Sequence, residues 1–526
     1  MGEDDILIKS ARGAGILSTQ NLITTLISLI FFMFFARILD KFEMGIYGTV
    51  HLIYIILTTI GVLGLRSAAS RFISYYNGRN EYQKACLTAK LIIKIALASA
   101  LTIGLSLFAL SELLSQLLIG SSAYAYLFKF AAFACSATII AFTLTGFLQG
   151  LHKFKKLAIF RISCQLVRVF LSIILLVIGL GVASIFVGYI ALYAGFALLA
   201  FITVNNLILK SGKLSEKKKE KPISIITLFR FSIPIMISRL LLYVSDSVDR
   251  LVVLNMLGVE VLGAYTVVLT VITSVTLIFA MPIQTALVPG MSQIYAKAGI
   301  KELSKSLNQS SRYITILYVP ACIGFAVLSP LVLSVLAGSK YLDVSIPLSI
   351  IAIGLTTYGY SSILMSALMA LGKTSRIAIV MCLAAISEFV LTIFLVPILN
   401  VTGAAISRAI MYVLMLGLLV VFSYKIIKID FDKLQILRTM ISSVMMAFIL
   451  ILAVSYFGYN LILTPLFIIV GLVVYGSIML LSGGIKRKDV RSFAKIIPRG
   501  NEFLLRLKFV RKSKFLTRVI DSVLRE

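Results

Sequence analysis

The stretch VASIFVGYIALYAGFALLAFITVNNLIL, Val182–Leu209, contains no Asp, Glu, Lys or Arg over 28 residues. A helix needs about 20 apolar residues to cross the hydrocarbon core of a bilayer, so this stretch predicts a membrane-spanning helix. Similar apolar runs recur along the chain at Ile16–Phe35, Gly45–Leu65, Leu87–Leu110, Ala123–Leu148, Leu157–Gly179, Ile225–Leu254, Leu262–Pro289, Tyr313–Ala337, Ser345–Leu371, Ile377–Pro397, Gly403–Tyr424, Ile436–Gly458 and Leu461–Ser482. The runs are continuously apolar and do not alternate, which argues against a β-barrel. They predict an all-α polytopic membrane protein with about 14 transmembrane helices.

The composition agrees with lipid as the main solvent. Of the 526 residues, 60% are hydrophobic and 13% are charged, whereas soluble domains are about half apolar and about one quarter charged. No small-residue cleavage site follows the first apolar run, which is therefore predicted to be a retained helix. The five cysteines have neither metal nor redox spacing and there are only two histidines, so the sequence predicts no metal site.

The distribution of positive charge predicts the orientation in the membrane. Basic residues concentrate in the loops after even-numbered helices, including Arg66 and Arg71 after helix two and six lysines between Lys210 and Lys221. The loops after odd-numbered helices contain only Arg37, Lys41 and Lys340. Because positively charged loops remain cytoplasmic, both termini are predicted to be cytoplasmic in a multi-pass protein of the cell (plasma or inner) membrane.

Short repeated motifs predict two similar six-helix lobes. Leu39-x5-Gly45-x-Tyr47 recurs as Leu257-x5-Gly263-x-Tyr265 at an offset of 218 residues. Two further matches, near Gly150 and near Gly181, recur at offsets of 220 and 222. Since six helices are an even number, the lobes share one orientation, with a cavity expected between them as in alternating-access transporters. The predicted organisation is an N-terminal lobe at 1–209, a basic cytoplasmic linker at 210–224, a C-terminal lobe at 225–424, two extra helices at 425–484 and a tail at 485–526.

The tail mixes apolar residues with many basic ones. This pattern predicts an amphipathic helix on the cytoplasmic membrane surface, bound to anionic lipid. A partner-protein or nucleic-acid site is the weaker alternative for the tail, and nucleic acid is not expected as a partner of the chain.

Several charged residues lie inside the apolar runs, where each costs at least about 2.5–3.5 kcal/mol at the bilayer centre. In helix seven, Arg239, Tyr243, Asp246, Asp249 and Arg250 are spaced to lie on one side of a continuous helix. In helix five, Arg168 lies near mid-membrane, and Glu388 of helix eleven is a candidate partner for it. These charges either line a wet, cationic cavity that selects an anion, with arginine suited to phosphate, or form internal salt bridges that only fix packing.

Motifs for catalysis are absent from the sequence. Gly372-Lys373-Thr374 resembles the end of a nucleotide-binding loop, but position 367 is Ala, so ATP hydrolysis is not expected. The short loops predicted to be external carry no acidic metal-binding cluster, which weighs against a membrane-embedded biosynthetic enzyme. The sequence therefore predicts a transporter without a cofactor.

Short motifs next to the helices resemble those of a known transporter superfamily. They are Ala36-Arg37-Ile38-Leu39 with Phe42–Tyr47, Gly64-Leu65 with Ala69–Ile73, Gln149–Lys155, Ser245-Asp246 with Asp249-Arg250-Leu251, Gly263-Ala264-Tyr265 and Leu371-Gly372-Lys373. Together they resemble the Wzx-type polysaccharide and lipid-linked-oligosaccharide flippases of the multidrug/oligosaccharidyl-lipid/polysaccharide (MOP) exporter superfamily, which are related to MurJ and MATE transporters.

The resemblance implies transfer of a polyprenyl-(pyro)phosphate-linked oligosaccharide from the cytoplasmic to the outer leaflet, for cell-surface polysaccharide or glycan biosynthesis. Within it, the residues assigned to anion binding are Arg239, Arg250 and Arg168, helped at the cytoplasmic mouth by Arg71 and Lys90. The acids assigned to charge balance or to Na⁺ or H⁺ coupling are Asp246, Asp249 and Glu388. Expected partners are the lipid-linked glycan, membrane lipids and enzymes of glycan assembly.

Two other transport functions stay open from the sequence. A lipid II flippase differs from the oligosaccharide type only in its substrate. A MATE-like ion-coupled exporter of small cations requires a cavity of net negative charge, which the excess of intramembrane bases disfavours.

Overall fold

The structure is a computed structural model that describes residues 3–209, 223–277, 281–458 and 463–484. Side chains are described from residue 15 onward, except at 208, 209, 281–286 and 289. The predicted amphipathic tail at 485–526 and residues 210–222 of the predicted linker lie outside the described residues.

All regular secondary structure in these described ranges is helical. The helices are α1 Glu3–Ile38, α2 Lys41–Val62, α3 Leu65–Gly78, α4 Tyr82–Ala109, α5 Ser111–Ile119, α6 Ala125–Gly150, α7 Phe154–Val177, α8 Ala183–Val204, α9 Ile225–Ser245, α10 Val248–Leu257, α11 Val259–Val275, α12 Met281–Val327, α13 Ser329–Leu336, α14 Ser345–Ala370, α15 Thr374–Ser423, α16 Lys433–Phe457 and α17 Thr464–Leu481. Short 3-10 helices cover Ser122–Tyr124 and Ser339–Val344, and a π-helical turn covers Asn205–Leu209.

Twelve helical stretches of the described chain are long and apolar enough to cross a membrane. The 50-residue helix α15 contains the predicted helices eleven and twelve, joined at Asn400, where the backbone is not helical. The start of predicted helix eight corresponds to the 17-residue α11, which is also apolar. These two differences account for the predicted count of about fourteen, and the prediction of an all-α multi-pass membrane protein is confirmed.

Large apolar side chains on the outside of the helices identify lipid as their solvent. Phe170 is 71% exposed, Val177 is 73% exposed and Leu481 is 77% exposed. In water, leaving such a side chain exposed forgoes about 1.5–3 kcal/mol of burial free energy. Next to acyl chains that loss does not arise, so the same sequence is stable with its apolar side chains facing outward.

The chain divides into two compact units. Unit 1 comprises Met1–Thr285, Leu336–Val344 and Met381–Ser407, and unit 2 comprises Ala286–Val335, Ser345–Val380 and Arg408–Glu526. The boundaries of the two predicted lobes, the linker and the tail stay predictions.

Within unit 1, helices α2 and α11 approach each other at backbone distance. A Cβ atom added at Gly45 would lie 2.6 Å from the carbonyl carbon of Val259, and one added at Gly263 would lie 2.6 Å from the Gly45 nitrogen. Gly45 and Gly263 are equivalent positions of the predicted repeat. The repeated glycines are therefore required for one shared helix crossing.

A bend in unit 1 separates α2 from α3. Leu63 and Gly64 both adopt left-handed backbone conformations, with φ of 51° and 68°. Gly64 lies against the backbone of Ser232 on α9, so a side chain there would collide with a carbonyl group. The expected loop after helix two, which contains Arg66 and Arg71, is instead the helix α3, and that part of the sequence prediction is wrong.

The 3-10 helix Ser339–Val344 also belongs to unit 1 and packs on the turn after α1. The Lys340 ammonium donates to the carbonyl oxygens of Arg37 and Leu39, and Lys41 forms a 2.8 Å ion pair with Asp343. Cations near the C-terminus of a helix satisfy its unpaired carbonyl groups, so Lys340 caps α1 from a distant part of the sequence.

Unit 2 contains its own apolar core, formed by α16 and α17 with parts of α12 and α13. Met446, Leu450 and Phe467 are buried in it. The Tyr475 hydroxyl donates to the carbonyl oxygen of Ile316 at 2.7 Å. The two helices that follow the predicted repeat, α16 and α17, are therefore part of the apolar core of unit 2.

Candidate functional site

A cavity of about 160 Å³ lies inside unit 1. This space accommodates roughly ten water molecules at about 15 Å³ of probe-occupied volume each. The residues that line it come from α2, the bend after it, α3, α6, α8 and α9: His51, Tyr54, Ile55, Thr58, Thr59, Val62, Gly64, Arg66, Ser67, Thr138, Phe142, Tyr189, Tyr193, Met236, Arg239 and Tyr243. Among the described residues, none that lines the cavity is acidic.

Two guanidinium groups line the cavity directly. Arg66 stands one residue into α3, where the bend at Gly64 aims it at the cavity, and its Nε donates to Gln149 Oε1 at 3.4 Å. Arg239 lies on α9 and is exposed. The two charges are within electrostatic reach of each other, and no described residue of the lining carries a negative charge.

Two further arginines of α7 stack against rings of the cavity wall. The Arg161 guanidinium carbon lies 5.8 Å from the centre of the Phe142 ring. The Arg168 guanidinium carbon lies 4.3 Å from the Tyr189 ring, and its Nε is buried without a hydrogen-bond partner in the described structure. A cation–π contact returns about 0.5–2 kcal/mol, which is less than the roughly 2.5–3.5 kcal/mol that placing the charge in the membrane costs.

Carboxylates do not compensate these four arginines. In the described ranges, no Asp or Glu oxygen lies within 4.0 Å of Arg66, Arg161, Arg168 or Arg239. The described residues thus form no salt bridge with Arg168 or Arg239, and the alternative of internal salt bridges stays a prediction for Asp246, Asp249 and Arg250. The possible partnership of Glu388 with Arg168 stays a prediction. Uncompensated cations around a wet cavity attract an anion.

The other basic residues assigned from the sequence lie outside the cavity lining. Arg250 on α10 is half-buried and within electrostatic reach of His51. Arg71 is exposed, with its guanidinium 4.3 Å from the Phe231 ring. Lys90 is exposed on α4. The structure thus brings Arg239 into the cavity and Arg168 against its wall, whereas Arg250 lies nearby and the capture roles of Arg71 and Lys90 stay predictions.

The predicted polar face of helix seven does not continue along one helix. Helix α9 ends at Ser245 and α10 begins at Val248, so the regular spacing breaks at Asp246 and Ser247. The prediction of one continuous helix from Ile225 to Leu254 is therefore wrong.

The three acids assigned to charge balance or coupling occupy different environments. Asp246 is exposed at the end of α9 and acts electrostatically on Tyr243. Asp249 is fully buried and accepts a short hydrogen bond from the Tyr265 hydroxyl of α11. Glu388 is fully buried on α15. Their roles in coupling stay predictions.

Sequence reasoning missed Arg66 and the tyrosine wall. The fall in hydropathy after Leu65 predicts a loop at Arg66, although the glycine at position 64 is a usable signal for a bend. Tyr189 and Tyr193 lie within the uncharged run Val182–Leu209 and are four residues apart. This spacing puts both rings on one helix face, but it does not show that the face borders a cavity.

The fold relates the chain to known transporters. A solved structure of the lipid II flippase MurJ in an inward closed conformation superimposes with a TM-score of 0.71 at 17% sequence identity, over 88% of this chain and 98% of that one. The MatE family profile matches residues 234–394. The fold is that of MurJ and MATE structures, and the apolar helices are those of a multi-pass membrane protein.

Family membership follows from the sequence profile. The profile described as polysaccharide biosynthesis protein matches residues 10–295, more than half of the chain. The chain belongs to this family, and the resemblance to MOP flippases is confirmed.

Two relatives support the assignment. MurJ of Bacillus subtilis is 19% identical over 481 residues, which cover 83% of this chain and 87% of that protein. A protein of Haloferax volcanii named as a probable low-salt glycan biosynthesis flippase is 24% identical over 228 residues, which cover 43% of this chain and 48% of the relative. The match therefore spans about half the length of that relative.

Proposed function

We propose that this protein is a flippase that moves a polyprenyl-(pyro)phosphate-linked oligosaccharide from the cytoplasmic to the outer leaflet of the cell membrane. The observation that carries the proposal is the cavity of unit 1, which is lined by Arg66 and Arg239 and, among the described residues, by no acid. A guanidinium group remains charged at physiological pH and offers donors that match phosphate oxygens. The family and the named relatives support the same function.

The positive cavity favours this function over a MATE-like exporter of small cations. Placing like charges next to each other in a binding site costs several kcal/mol, so the two arginines disfavour a cationic solute in this cavity. A lipid II substrate also carries a pyrophosphate, and it differs from other candidates only in its glycan. Cytoplasmic termini, anionic lipid at the tail and partner enzymes of glycan assembly remain part of the proposal.

Transport can be tested in proteoliposomes that contain a fluorescent undecaprenyl-pyrophosphoryl sugar, by measuring its initial rate of transfer between leaflets. The double variant Arg66→Gln/Arg239→Gln should lower the rate at least ten-fold, because hydrogen bonds to charged groups contribute about 1.5–3 kcal/mol each. Arg230→Gln is the matched control, since Arg230 is exposed on the same helix α9 and outside the lining. An unchanged rate in the double variant at equal protein level would exclude phosphate binding by this cavity.

A further inference from the structure

The cavity contains an aromatic surface next to its arginine pair. Tyr243 lies four residues after Arg239 on α9 and is 40% exposed. Tyr193 on α8 is half-buried, lines the same cavity and is within electrostatic reach of Tyr243. Four residues of helix rise about 6 Å, so Tyr243 lies about one turn from Arg239, and Tyr193 and Arg66 line the same cavity.

Neighbouring rings of the cavity wall support the Tyr193 ring. The Tyr189 and Tyr193 rings have centroids 6.2 Å apart and planes 19° apart. Tyr189 also stacks on Tyr54 at 5.4 Å and 16°, and the Tyr54 hydroxyl lies 2.7 Å from Thr138 Oγ1. Arg168 packs on Tyr189. Because these centroid separations belong to offset stacking, the rings overlap only in part, and Tyr193 keeps part of its ring accessible.

Such a surface matches the chemistry of a sugar ring. The face of an aromatic ring carries partial negative charge, and one face of a pyranose carries hydrogens bonded to carbon, which are partly positive. The tyrosine hydroxyl and guanidinium groups can bond the hydroxyls at the ring edge. In a lipid-linked glycan the phosphate is joined directly to the first sugar. A protein that binds both groups must therefore hold its phosphate site and its sugar site next to each other.

We infer that Tyr193 and Tyr243 bind the first sugar ring of the head group while Arg66 and Arg239 bind its phosphate. The inference rests on the proposed function and adds a separate sugar subsite to it. Tyr54 and Tyr189 line the same cavity, and together with Arg168 they position the Tyr193 ring. An isoprenoid tail is a poor occupant, because guanidinium groups lie at the same cavity.

The test is isothermal titration calorimetry on the purified protein in lipid nanodiscs. The probes are inorganic phosphate and the 1-phosphates of glucose, galactose and N-acetylglucosamine. At least one sugar phosphate should bind about ten-fold tighter than inorganic phosphate, a difference of about 1.4 kcal/mol. Tyr193→Leu and Tyr243→Leu should each remove most of this advantage and leave the affinity for inorganic phosphate unchanged.

Two controls separate ring contact from folding. Tyr243→Phe keeps the ring and should keep most of the advantage, whereas Tyr126→Leu changes an exposed tyrosine outside the lining and should have no effect. Equal affinity for all four probes would overturn the sugar subsite and leave the phosphate site intact. An equal loss for phosphate and sugar phosphate in the Leu variants would also overturn it, because it indicates a purely structural role.

A competition experiment distinguishes a failure of the sugar subsite from a failure of the proposed function. An undecaprenyl-pyrophosphoryl sugar added to the nanodisc bilayer should compete with the soluble sugar phosphate. Competition supports a lipid-linked ligand. Binding of the soluble probe without competition would overturn the lipid-linked substrate, and no binding of any probe would overturn the phosphate site together with the sugar subsite.

Discussion

Replacing Gly45 with alanine tests the helix crossing that organises unit 1. A Cβ atom at this position would lie 2.6 Å from the Val259 carbonyl carbon and 2.8 Å from its Cγ1. The carbonyl group belongs to the backbone of α11, so it cannot move away by a side-chain rotation. The two helices must separate or shift for the methyl group to fit.

Two opposing effects set the magnitude of Gly45→Ala. Forcing extra atoms into a packed contact costs about 1–3 kcal/mol. Alanine is favoured over glycine inside a helix by about 1 kcal/mol. Because the contact is with backbone, the upper part of the first range applies, and we expect Gly45→Ala to lower the free energy of unfolding by about 1–2 kcal/mol.

The free energy of unfolding can be measured by denaturation in mixed detergent and sodium dodecyl sulfate micelles. Gly476→Ala is the matched control, because Gly476 lies in helix α17 and a Cβ atom there meets nothing within 4 Å. This control should gain about 0.5–1 kcal/mol. Gly263→Ala should be destabilising like Gly45→Ala. In the double variant, the free energy of unfolding should fall by less than the sum of the decreases in the two single variants. One separation of the helices relieves both contacts, so the two effects are not additive. If Gly45→Ala were as stable as the control, the close helix approach would be wrong.

Three further substitutions test contacts within unit 1. Tyr265→Phe removes the hydrogen bond to the buried Asp249 carboxylate and should lower the free energy of unfolding by about 1.5–3 kcal/mol in the same denaturation assay; an unchanged midpoint would contradict the buried pair. Lys340→Met removes a charged donor from the C-terminal end of α1. It should lower the local stability of that helix end by about 1–2 kcal/mol, measured as faster amide hydrogen exchange near the C-terminus of α1. Asp343→Ala breaks the exposed pair with Lys41 and should change stability by less than about 1 kcal/mol. This small effect should shrink further in 1 M salt, because salt screens an ion pair in contact with solvent. A larger loss of stability that does not depend on salt would contradict an exposed Lys41–Asp343 pair.

The sequence alone determined the membrane architecture of this protein. A bilayer imposes a fixed length on each apolar run, and a charge inside such a run is costly. Local composition is therefore enough to place the helices, and it also indicated that Arg239 and Arg168 matter. The repeat likewise identified Gly45 and Gly263 as equivalent positions.

Only the tertiary structure decided which of these residues meet. Gly45 and Gly263 pack against each other, which equivalence in a repeat does not require. Arg66 reaches the cavity because Gly64 bends the chain, and Asp249 contacts Tyr265 beyond the break between α9 and α10. Hydropathy is a property of neighbours along the chain, whereas a cavity is formed by helices far apart in sequence. A two-residue bend such as Leu63–Gly64 changes the direction in which the side chains of the next helix point. The hydropathy of neighbouring residues does not predict that change.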